Sequence, residues 1–241
     1  MSGILILAHQ DDEVFFLSAL RKFAVSHVIY LTDGVRKDAA YSSDIRSREV
    51  NTSWALIQPN VEIIELGKKL KIKDGKVHEF FSRQLYTELR DIVGRTNPRF
   101  VLTTLNDGGH QDHDAVFLIS RMIKPDNATL IAIPSYRANF MFRRLYRVLK
   151  MPSNFPHSYF KIKGSLGSSI LAYRVMQLYP TQKITWLGLG PMTLIRLLIG
   201  FKALICDDKW CRHIPDSYLY EIRHRAKSED LKIFESEIQK Y

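Results

Sequence analysis

Short apolar runs alternate with segments of helical periodicity through the first 135 residues of the chain. The runs have the length and the flanking turn residues of buried strands, whereas the segments between them carry apolar residues at every third or fourth position. Strands are predicted at residues 4–8, 28–31, 61–66, 100–104 and 129–133, and helices at residues 12–23, 45–57, 80–93 and 115–123. This alternation predicts an α/β fold, in which helices cover both faces of a mostly parallel sheet.

The order of the predicted strands indicates where a ligand would bind. Right-handed crossovers between parallel strands give a doubly wound sheet, for which 3-2-1-4-5 is a common strand order. Strands 1 and 4 are then neighbours, and the chain direction reverses between them. Ligands of such sheets bind beyond the carboxyl ends of the strands at this point, so the residues after strands 1 and 4 are the first candidates for a functional site.

The pattern becomes less regular after residue 135. Residues 151–156 are typical of a loop, residues 162–169 are rich in glycine and serine, residues 183–186 predict a late strand, and residues 215–241 predict a charged terminal helix. Glycines, Pro191, Arg196 and Lys202 interrupt the apolar stretch at residues 184–205, which favours a buried or interfacial segment over a membrane span. No linker marks a second domain, so we expect residues 1–241 to form a single domain.

The charge balance of the chain is strongly basic. It has 35 Lys and Arg residues against 25 Asp and Glu residues, for a formal net charge of +10. This excess favours an anionic partner: a phosphorylated or nucleotide-linked substrate, an acidic lipid surface or nucleic acid. Nucleic acid is the least favoured, because no recognisable binding module accompanies the charge. The densest basic cluster, residues 143–150, predicts a helix that is either solvated or in contact with a membrane or an anionic substrate.

The beginning of the sequence has neither a basic leader nor a cleavage site. We therefore expect a cytoplasmic protein, with peripheral contact at the inner membrane surface as an open alternative. In that compartment Cys206 and Cys211 are expected to be thiols and not a disulfide. The sequence makes no prediction of the oligomeric state.

Two clusters of acidic and imidazole side chains follow strands 1 and 4. Either cluster alone has an ordinary explanation, because the N-terminus of a helix favours carboxylates. The predicted topology, however, brings the ends of both strands to one crevice, so we expect His9, Asp12, His110 and His113 to lie together. The clusters read Ala8-His9-Gln10-Asp11-Asp12-Glu13 and Asn106-Asp107-Gly108-Gly109-His110-Gln111-Asp112-His113.

The residue types in the two clusters are those of a hydrolytic metal site. A catalytic zinc ion takes about three protein ligands and keeps a position for water, and His and Asp suit zinc as well as Fe²⁺. His9 and Asp12 are close enough in sequence to face one ion, and His113 supplies a third ligand from the other loop. A general base is still needed beside the water, and Asp11 is the natural candidate.

The second cluster offers further candidates for catalysis. His110 precedes His113 by one helical turn, so it could protonate a leaving group or stabilise an oxyanion. Asp112 could orient or charge it. Gly108 and Gly109 would allow the backbone to approach a substrate closely.

Both clusters resemble the signature of a known hydrolase family. The first is similar to the Ala-His-Pro-Asp-Asp-Glu motif of the LmbE/PIG-L-type metal-dependent deacetylases, and the second is similar to their His-x-Asp-His motif. This family removes N-acetyl groups from glucosamine-containing substrates, with zinc in a Rossmann-like fold. The resemblance implies zinc on His9, Asp12 and His113. It also implies Asp11 as the general base and His110 as the electrophilic or acid group, steadied by Asp112.

Smaller matches extend the resemblance along the chain. Together with Gly109, they make Arg46, Asp74 and Gln182 candidate substrate contacts. Gln10 stands where the family has proline, at a position expected to line the site, so it is a further candidate contact. The matching segments are a turn after strand 2, an Arg-x-x-Glu helix, an Asp-Gly pair and a Tyr-x-Ser-Gln-like segment: Thr32-Asp33-Gly34, Arg46-Ser47-Arg48-Glu49, Asp74-Gly75 and Tyr179-Pro180-Thr181-Gln182.

We therefore expect a zinc-dependent N-deacetylase that acts on an N-acetylated amino sugar in a glycoconjugate, a nucleotide sugar or a lipid-linked substrate. Two alternatives stay open. The same site could hydrolyse the amide of a thiol–sugar conjugate, or the chain could be a non-catalytic Rossmann-like protein that binds a sugar or a nucleotide sugar. The second alternative is less favoured, because no Gly-x-Gly-x-x-Gly follows strand 1 and the ligand set is intact.

Overall fold

The computed structural model of the chain describes residues 3–138, 146–152, 159–206 and 228–238. Its strands are β1 (Gly3–Leu7), β2 (Val25–Tyr30), β3 (Glu62–Ile64), β4 (Phe100–Thr104), β5 (Thr129–Ile133), β6 (Tyr136–Ala138), β7 (Tyr146–Val148), β8 (Tyr159–Ile162) and β9 (Phe201–Cys206). Its α-helices are α1 (Leu17–Leu20), α2 (Ser43–Ile57), α3 (Leu66–Lys69), α4 (Arg83–Thr96), α5 (Gln111–Ile123), α6 (Leu166–Gln177), α7 (Lys183–Ile199) and α8 (Ser228–Ile238). Short 3₁₀ turns occupy Asp12–Phe16, Val77–Glu79 and Pro180–Gln182.

Seven strands form one sheet in the order β3-β2-β1-β4-β5-β9-β8. Strands β1 to β5 are parallel, and β9 runs antiparallel to both β5 and β8. This confirms the predicted α/β fold with the parallel order 3-2-1-4-5. Ile4 and Ile6 of β1 pair with Val101 and Thr103 of β4, so the two strands end side by side. The loops that follow them therefore share one edge of the sheet.

The hydrophobic core lies on both faces of the sheet. Successive side chains of a strand point to opposite faces, and β1 follows this alternation. Ile4 and Ile6 pack into a cluster that includes residues of α3, α4, α5 and α8. Leu5 and Leu7 pack into the opposite cluster, with residues of α1, α2, α6 and α7. The second cluster also contains Phe15 and Phe16 of the turn after β1, so α6 and α7 pack near the end of that strand.

The chain after residue 135 contains elements that the sequence pattern did not predict. The late strand predicted at residues 183–186 is wrong, because these residues begin α7 directly after a 3₁₀ turn. The apolar stretch at residues 184–205 divides at Gly200, whose φ of 90° ends the helix before β9 begins. Among the residues that the structure describes, no helix combines the length and the apolar content needed to cross a bilayer.

Three other predictions fall partly on residues outside the described ranges. Within the basic cluster at residues 143–150, Tyr146–Val148 forms β7 and pairs with Tyr136–Ala138, so this part is a strand and not a helix. Residues 143–145 of that cluster lie outside the described residues, as does most of the predicted loop at residues 151–156. Within residues 215–241, only 228–238 are described, and they form α8. Cys206 is a buried thiol, and Cys211 lies outside the described residues.

Candidate metal centre

A sharp turn beyond β1 carries the first cluster. Asp11 has a φ of 141°, which is rare for a residue with a side chain. Its backbone N–H donates to Oε2 of Glu13 at 3.1 Å, and the fully buried Glu13 carboxylate also accepts hydrogen bonds from the hydroxyls of Tyr30, Ser53 and Tyr179. These four donors fix the buried carboxylate, and the carboxylate in turn holds the strained turn in place.

The start of α5, directly beyond β4, carries the second cluster. His110 caps this helix, and its Nδ1 accepts a hydrogen bond from the backbone N–H of Asp112 at 3.2 Å. His113 lies within the first turn and is completely buried, with its Nδ1 2.9 Å from Oγ of Ser135. The contact with Ser135 fixes the imidazole plane and directs Nε2 towards the loop after β1.

The structure brings His9, Asp12 and His113 together. One ligand atom from each lies within 4.8 Å of the others. Oδ1 of Asp12 is 3.1 Å from Nε2 of His113, and Oδ2 of Asp12 is 3.3 Å from Nδ1 of His9. Two imidazole nitrogens and one carboxylate oxygen match the donor set of a catalytic zinc site, so these residues fit a divalent metal ion.

A second group of three residues meets the same distance criterion. It contains His9, Asp74 and His110. Nε2 of His9 lies 3.2 Å from Oδ1 of Asp74, and the same Asp74 oxygen is 3.8 Å from Nε2 of His110. Asp74 thus lies at the edge of the first group, where it is able to face either an ion or a polar substrate.

Burial and charge act in opposite directions on the pKa values in this cluster. Burial alone would raise the pKa of Asp12, but the imidazoles of His113 and His9 outweigh it and hold the pKa well below its usual range. Burial alone would lower the pKa of His9, but the carboxylates of Asp74 and Asp12 outweigh it and raise the pKa. For His110, burial and the neighbouring His9 together lower the pKa to about 3, which favours the neutral imidazole.

Asp11 lies against Arg46, a side chain of α2 that is only 1% exposed. The guanidinium donates to Oδ1 of Asp11 at 2.9 Å, to the carbonyl of Gln10, to Oε2 of Glu49 at 3.0 Å and to Oγ1 of Thr181 at 2.9 Å. Burial raises the pKa of Asp11 to about 7, although the charge of Arg46 opposes this shift. A carboxylate with such a pKa is able to exchange a proton near neutral pH.

A cavity of about 350 Å³ opens above these residues. Its lining combines the polar side chains described above with four aromatic side chains, Phe15, Tyr136, Tyr146 and Trp186. Such a mixture of apolar walls and a few convergent polar groups is typical of a small-molecule site. The cavity brings together most of the predicted site residues: His9, Asp11, Asp12, Arg46, Asp74, Gly109, His110 and Gln182.

Gln10 lies in a place that differs from the expectation, and Asp112 has partners that the sequence did not indicate. The side chain of Gln10 is completely buried, donates to the carbonyl of Thr32 at 3.1 Å, and does not line the cavity. The carboxylate of Asp112 accepts hydrogen bonds from the backbone N–H groups of Gly75 and Val77, and it lies 3.0 Å from Nε2 of His9. The backbone N–H of Asp112 donates to Nδ1 of His110.

Sequence reasoning missed two residues next to the cluster. Ser135 contacts His113, and the ring of Tyr136 lies edge-on to the same imidazole with centroids 5.5 Å apart. Both lie within three residues of the end of β5, at the same edge of the sheet as the two clusters. Because ligands bind beyond the carboxyl ends of parallel strands, the position of both residues after the strand next to β4 could have identified them.

A family comparison agrees with the geometry of the two loops. The model of the PIG-L family, described as GlcNAc-PI de-N-acetylase, matches residues 4–123, which is about half of the chain and includes both clusters. The chain belongs to the PIG-L family. No curated protein sequence matches it significantly. The C-terminal half, with α6, α7 and β9, lies outside the segment that matches the PIG-L model.

Solved structures resemble this PIG-L family chain in fold. The N,N'-diacetylchitobiose deacetylase from Pyrococcus horikoshii is 16% identical, with a TM-score of 0.61 over 89% of this chain and 86% of that one. A deacetylase from the teicoplanin biosynthesis pathway is 12% identical, with a TM-score of 0.59 over 86% of this chain and all of that one. The A40926 pseudoaglycone deacetylase Dbv21 is 13% identical, with a TM-score of 0.58 over 85% of this chain and 96% of that one. At these identities the likeness establishes the fold.

Proposed function

We propose that this PIG-L family chain is a zinc-dependent N-deacetylase that hydrolyses the acetamide of an N-acetylated amino sugar in a larger conjugate. The observation that carries the proposal is the convergence of His9, Asp12 and His113, of which His9 and Asp12 line one cavity together with Asp11. Family membership supports it, because the matching family is described as a de-N-acetylase. The three solved relatives named above are also deacetylases by description.

His9, Asp12 and His113 would hold the metal ion. When bound, zinc supplies a Lewis acid that polarises the acetyl carbonyl and favours ionisation of a water molecule. Asp11 accepts the proton of the attacking water, since its carboxylate lies at the cavity floor and is held by Arg46. The new C–O bond forms as the proton moves to Asp11. The C–N bond then breaks as this proton passes to the nitrogen, which gives acetate and the free amine.

His110 is suited to stabilise the negative charge that develops on the acetyl oxygen. Its Nδ1 accepts a hydrogen bond from the Asp112 backbone, so a neutral imidazole carries its proton on Nε2. His110 lines the cavity, and its Nε2 lies 3.8 Å from Asp74, another cavity residue. Removal of such a hydrogen-bond donor typically lowers kcat by about 100- to 1,000-fold.

The test is acetate release by the full-length protein from a panel of N-acetylated substrates, with and without a chelator. Free N-acetylglucosamine, UDP-N-acetylglucosamine and N-acetylglucosaminyl-phosphoinositol cover the simple, nucleotide-linked and lipid-linked classes, and an acylated thiol–sugar conjugate covers the amidase alternative. Chelator-sensitive acetate release from an amino sugar supports the proposal. Turnover of the thiol–sugar conjugate alone would replace it with the amidase, and ligand binding without turnover would indicate a non-catalytic protein.

Two variants separate the roles of the residues. Asp11→Asn should lower turnover by at least about 100-fold while zinc stays bound, because it removes the base and leaves the three ligands. His113→Ala should lose zinc as well as activity. Asp44→Asn is the matched control, since Asp44 is an exposed aspartate of α2 and should leave both properties unchanged. Loss of zinc in Asp11→Asn would contradict the assignment of Asp11 and Asp12.

We further propose that residues 1–241 act as a single domain. The support is that β8 and β9, from the C-terminal part, extend the sheet that β1 to β5 begin. The cytoplasmic location stays a prediction.

A further inference from the structure

The net positive charge of the chain arises from one segment of the sequence that lacks acidic residues. Residues 127–206 contain eleven Lys and Arg residues and no Asp or Glu, whereas the other 161 residues carry 24 basic and 25 acidic side chains. The net charge of +10 therefore comes entirely from this segment. A block of this length with a single sign of charge attracts an anionic partner.

Helix α7 lies within this segment, and its exposed face is apolar. One face of the helix packs on the core through Trp186, Leu189 and Leu197. The other face would normally be polar in a helix at a protein surface, yet Ile184 is 87% exposed and Leu187 is 72% exposed. The remaining exposed side chains of this face are also apolar, at Pro191, Met192, Ile195, Leu198 and Ile199.

Helix α6 extends this apolar surface. It packs beside α7, and its exposed residues include Leu166, Ile170 and Tyr173, which recur at helical spacing. A groove of about 410 Å³ runs between the two helices and is lined by Tyr173, Met176, Leu187, Pro191 and Leu194. Contiguous exposed apolar area of this kind marks an interaction surface and not an ordinary solvated one.

Exposed basic residues stand at both ends of the α6–α7 pair. Arg174 near the end of α6 and Lys183 at the start of α7 mark one end. Lys163, three residues before α6, and Lys202, three residues after α7, mark the other. An apolar helical face flanked by Lys and Arg is the arrangement found in helices that lie in a membrane interface.

We propose that the exposed face of α6 and α7 docks on the surface of a bilayer that contains anionic phospholipids. The apolar side chains enter the boundary between head groups and acyl chains, and the basic residues at both ends bind lipid phosphates. The absence of acidic residues from residues 127–206 supports a lipid occupant over a second copy of this chain, because pairing two such basic surfaces would be opposed by charge repulsion.

The docked face adjoins the candidate active site. Ile184, Gly188 and Leu189 of α7 line the metal-centre cavity, and Trp186 lines both this cavity and the groove between α6 and α7. Docking through α7 would therefore bring one wall of the cavity to the bilayer. The docking itself is independent of the proposed deacetylase activity, since binding is measured without turnover.

The experiment is co-sedimentation of the full-length protein with vesicles of phosphatidylcholine alone and with vesicles that also contain phosphatidylglycerol. The wild-type protein should sediment with the anionic vesicles, and added salt should weaken this binding because it screens the basic residues. The double variant Leu187→Glu/Ile195→Glu should lower the partition coefficient by at least about tenfold, since it removes two exposed apolar contacts and adds charge. Both positions are exposed and lie outside the metal-centre cavity, so folding and acetate release from a water-soluble substrate should persist.

Ile233→Glu is the matched control, because Ile233 is an exposed isoleucine on α8 and should leave vesicle binding unchanged. The proposal is overturned if the wild-type protein binds neither vesicle, or if the double variant binds as well as the control variant. It is also overturned if the wild-type protein does not bind vesicles but forms a dimer, and if the double variant is a monomer. The exposed face of α6 and α7 would then be a contact between two copies of the chain. Vesicle binding without acetate release would refute the deacetylase proposal alone.

Discussion

Arg46 gives the sharpest test of how the turn after β1 is held together. Its guanidinium is 1% exposed and donates four hydrogen bonds, two of them to the carboxylates of Asp11 and Glu49. Arg46→Met would keep much of the side-chain volume but leave both buried carboxylates without their cation. Breaking a buried ion pair by removing one partner costs about 3–5 kcal/mol, and in a protein of this size that lowers the Tm by about 6–20 °C.

Arg46→Lys should give an intermediate result. It keeps the positive charge, but a single ammonium group cannot reproduce the planar fork that reaches four acceptors. If the net loss equals one charge-assisted hydrogen bond, we expect a cost of about 1.5–3 kcal/mol. The pKa of Asp11, which burial already raises to about 7 against the charge of Arg46, should rise further in Arg46→Met.

The assay is thermal and urea unfolding of the purified variants in chelator, so that differences in metal content do not contribute. Arg48→Met is the control, because Arg48 is an exposed arginine two residues along the same helix, and it should stay within about 0.5 kcal/mol of the wild type. If Arg46→Met is no less stable than Arg48→Met, the guanidinium does not compensate the two buried carboxylates and the reasoning is wrong.

Substitutions at three further positions test other contacts of the centre. Ser135→Ala removes the partner of His113 Nδ1 and should weaken zinc binding by about 10- to 100-fold, as measured by competition with a chromogenic chelator. Gly109→Ala should disturb the loop before α5 and lower activity, because a Cβ there would lie 1.8 Å from the carbonyl oxygen of Tyr136; an unchanged rate and Tm would contradict this. Glu13→Leu should destabilise the fold by at least about 3 kcal/mol in urea unfolding, because four hydrogen-bond donors lose their acceptor. Glu13→Gln should cost less, because it keeps one oxygen that accepts from the backbone N–H of Asp11.

The parallel half of the fold was predictable because its signals are local. The predicted strands at residues 100–104 and 129–133 coincide with β4 and β5, since each is a short apolar run with turn residues on both sides. The strand order then followed from general rules of handedness and connection. Neither step required knowledge of a specific distant contact.

The C-terminal half was harder to predict, because its helices are not amphipathic in the usual sense. Helix α7 is apolar on its buried and on its exposed face, so hydrophobic spacing does not distinguish it from a buried strand. Its first residues, Lys183-Ile184-Thr185-Trp186, are also rich in β-branched and aromatic side chains, which favour a strand locally. Packing against α6 and the core decides the outcome, and the sequence pattern does not contain that information.

The candidate site also has one part that the sequence predicted and another part that it did not. The proximity of His9, Asp12, His110 and His113 followed from topology, because the ends of β1 and β4 had to meet. The partners of individual side chains did not follow, since they depend on the relative positions of distant segments. For example, the backbone N–H groups of Gly75 and Val77 donate hydrogen bonds to the carboxylate of Asp112. The sequence had predicted only a contact between Asp112 and His110.

Gln10 illustrates how a departure from the family motif is accommodated. A proline would set the backbone at this position through its ring. Here the carbonyl of residue 10 accepts a hydrogen bond from Arg46, and the side-chain amide donates to the carbonyl of Thr32. The side chain fits because Gly34 has no Cβ, which would otherwise lie 2.1 Å from Oε1 of Gln10. These two hydrogen bonds, one to the backbone and one from the side chain, thus replace the constraint of a proline ring. Residue 10 influences the site by fixing the backbone that carries His9 and Asp11.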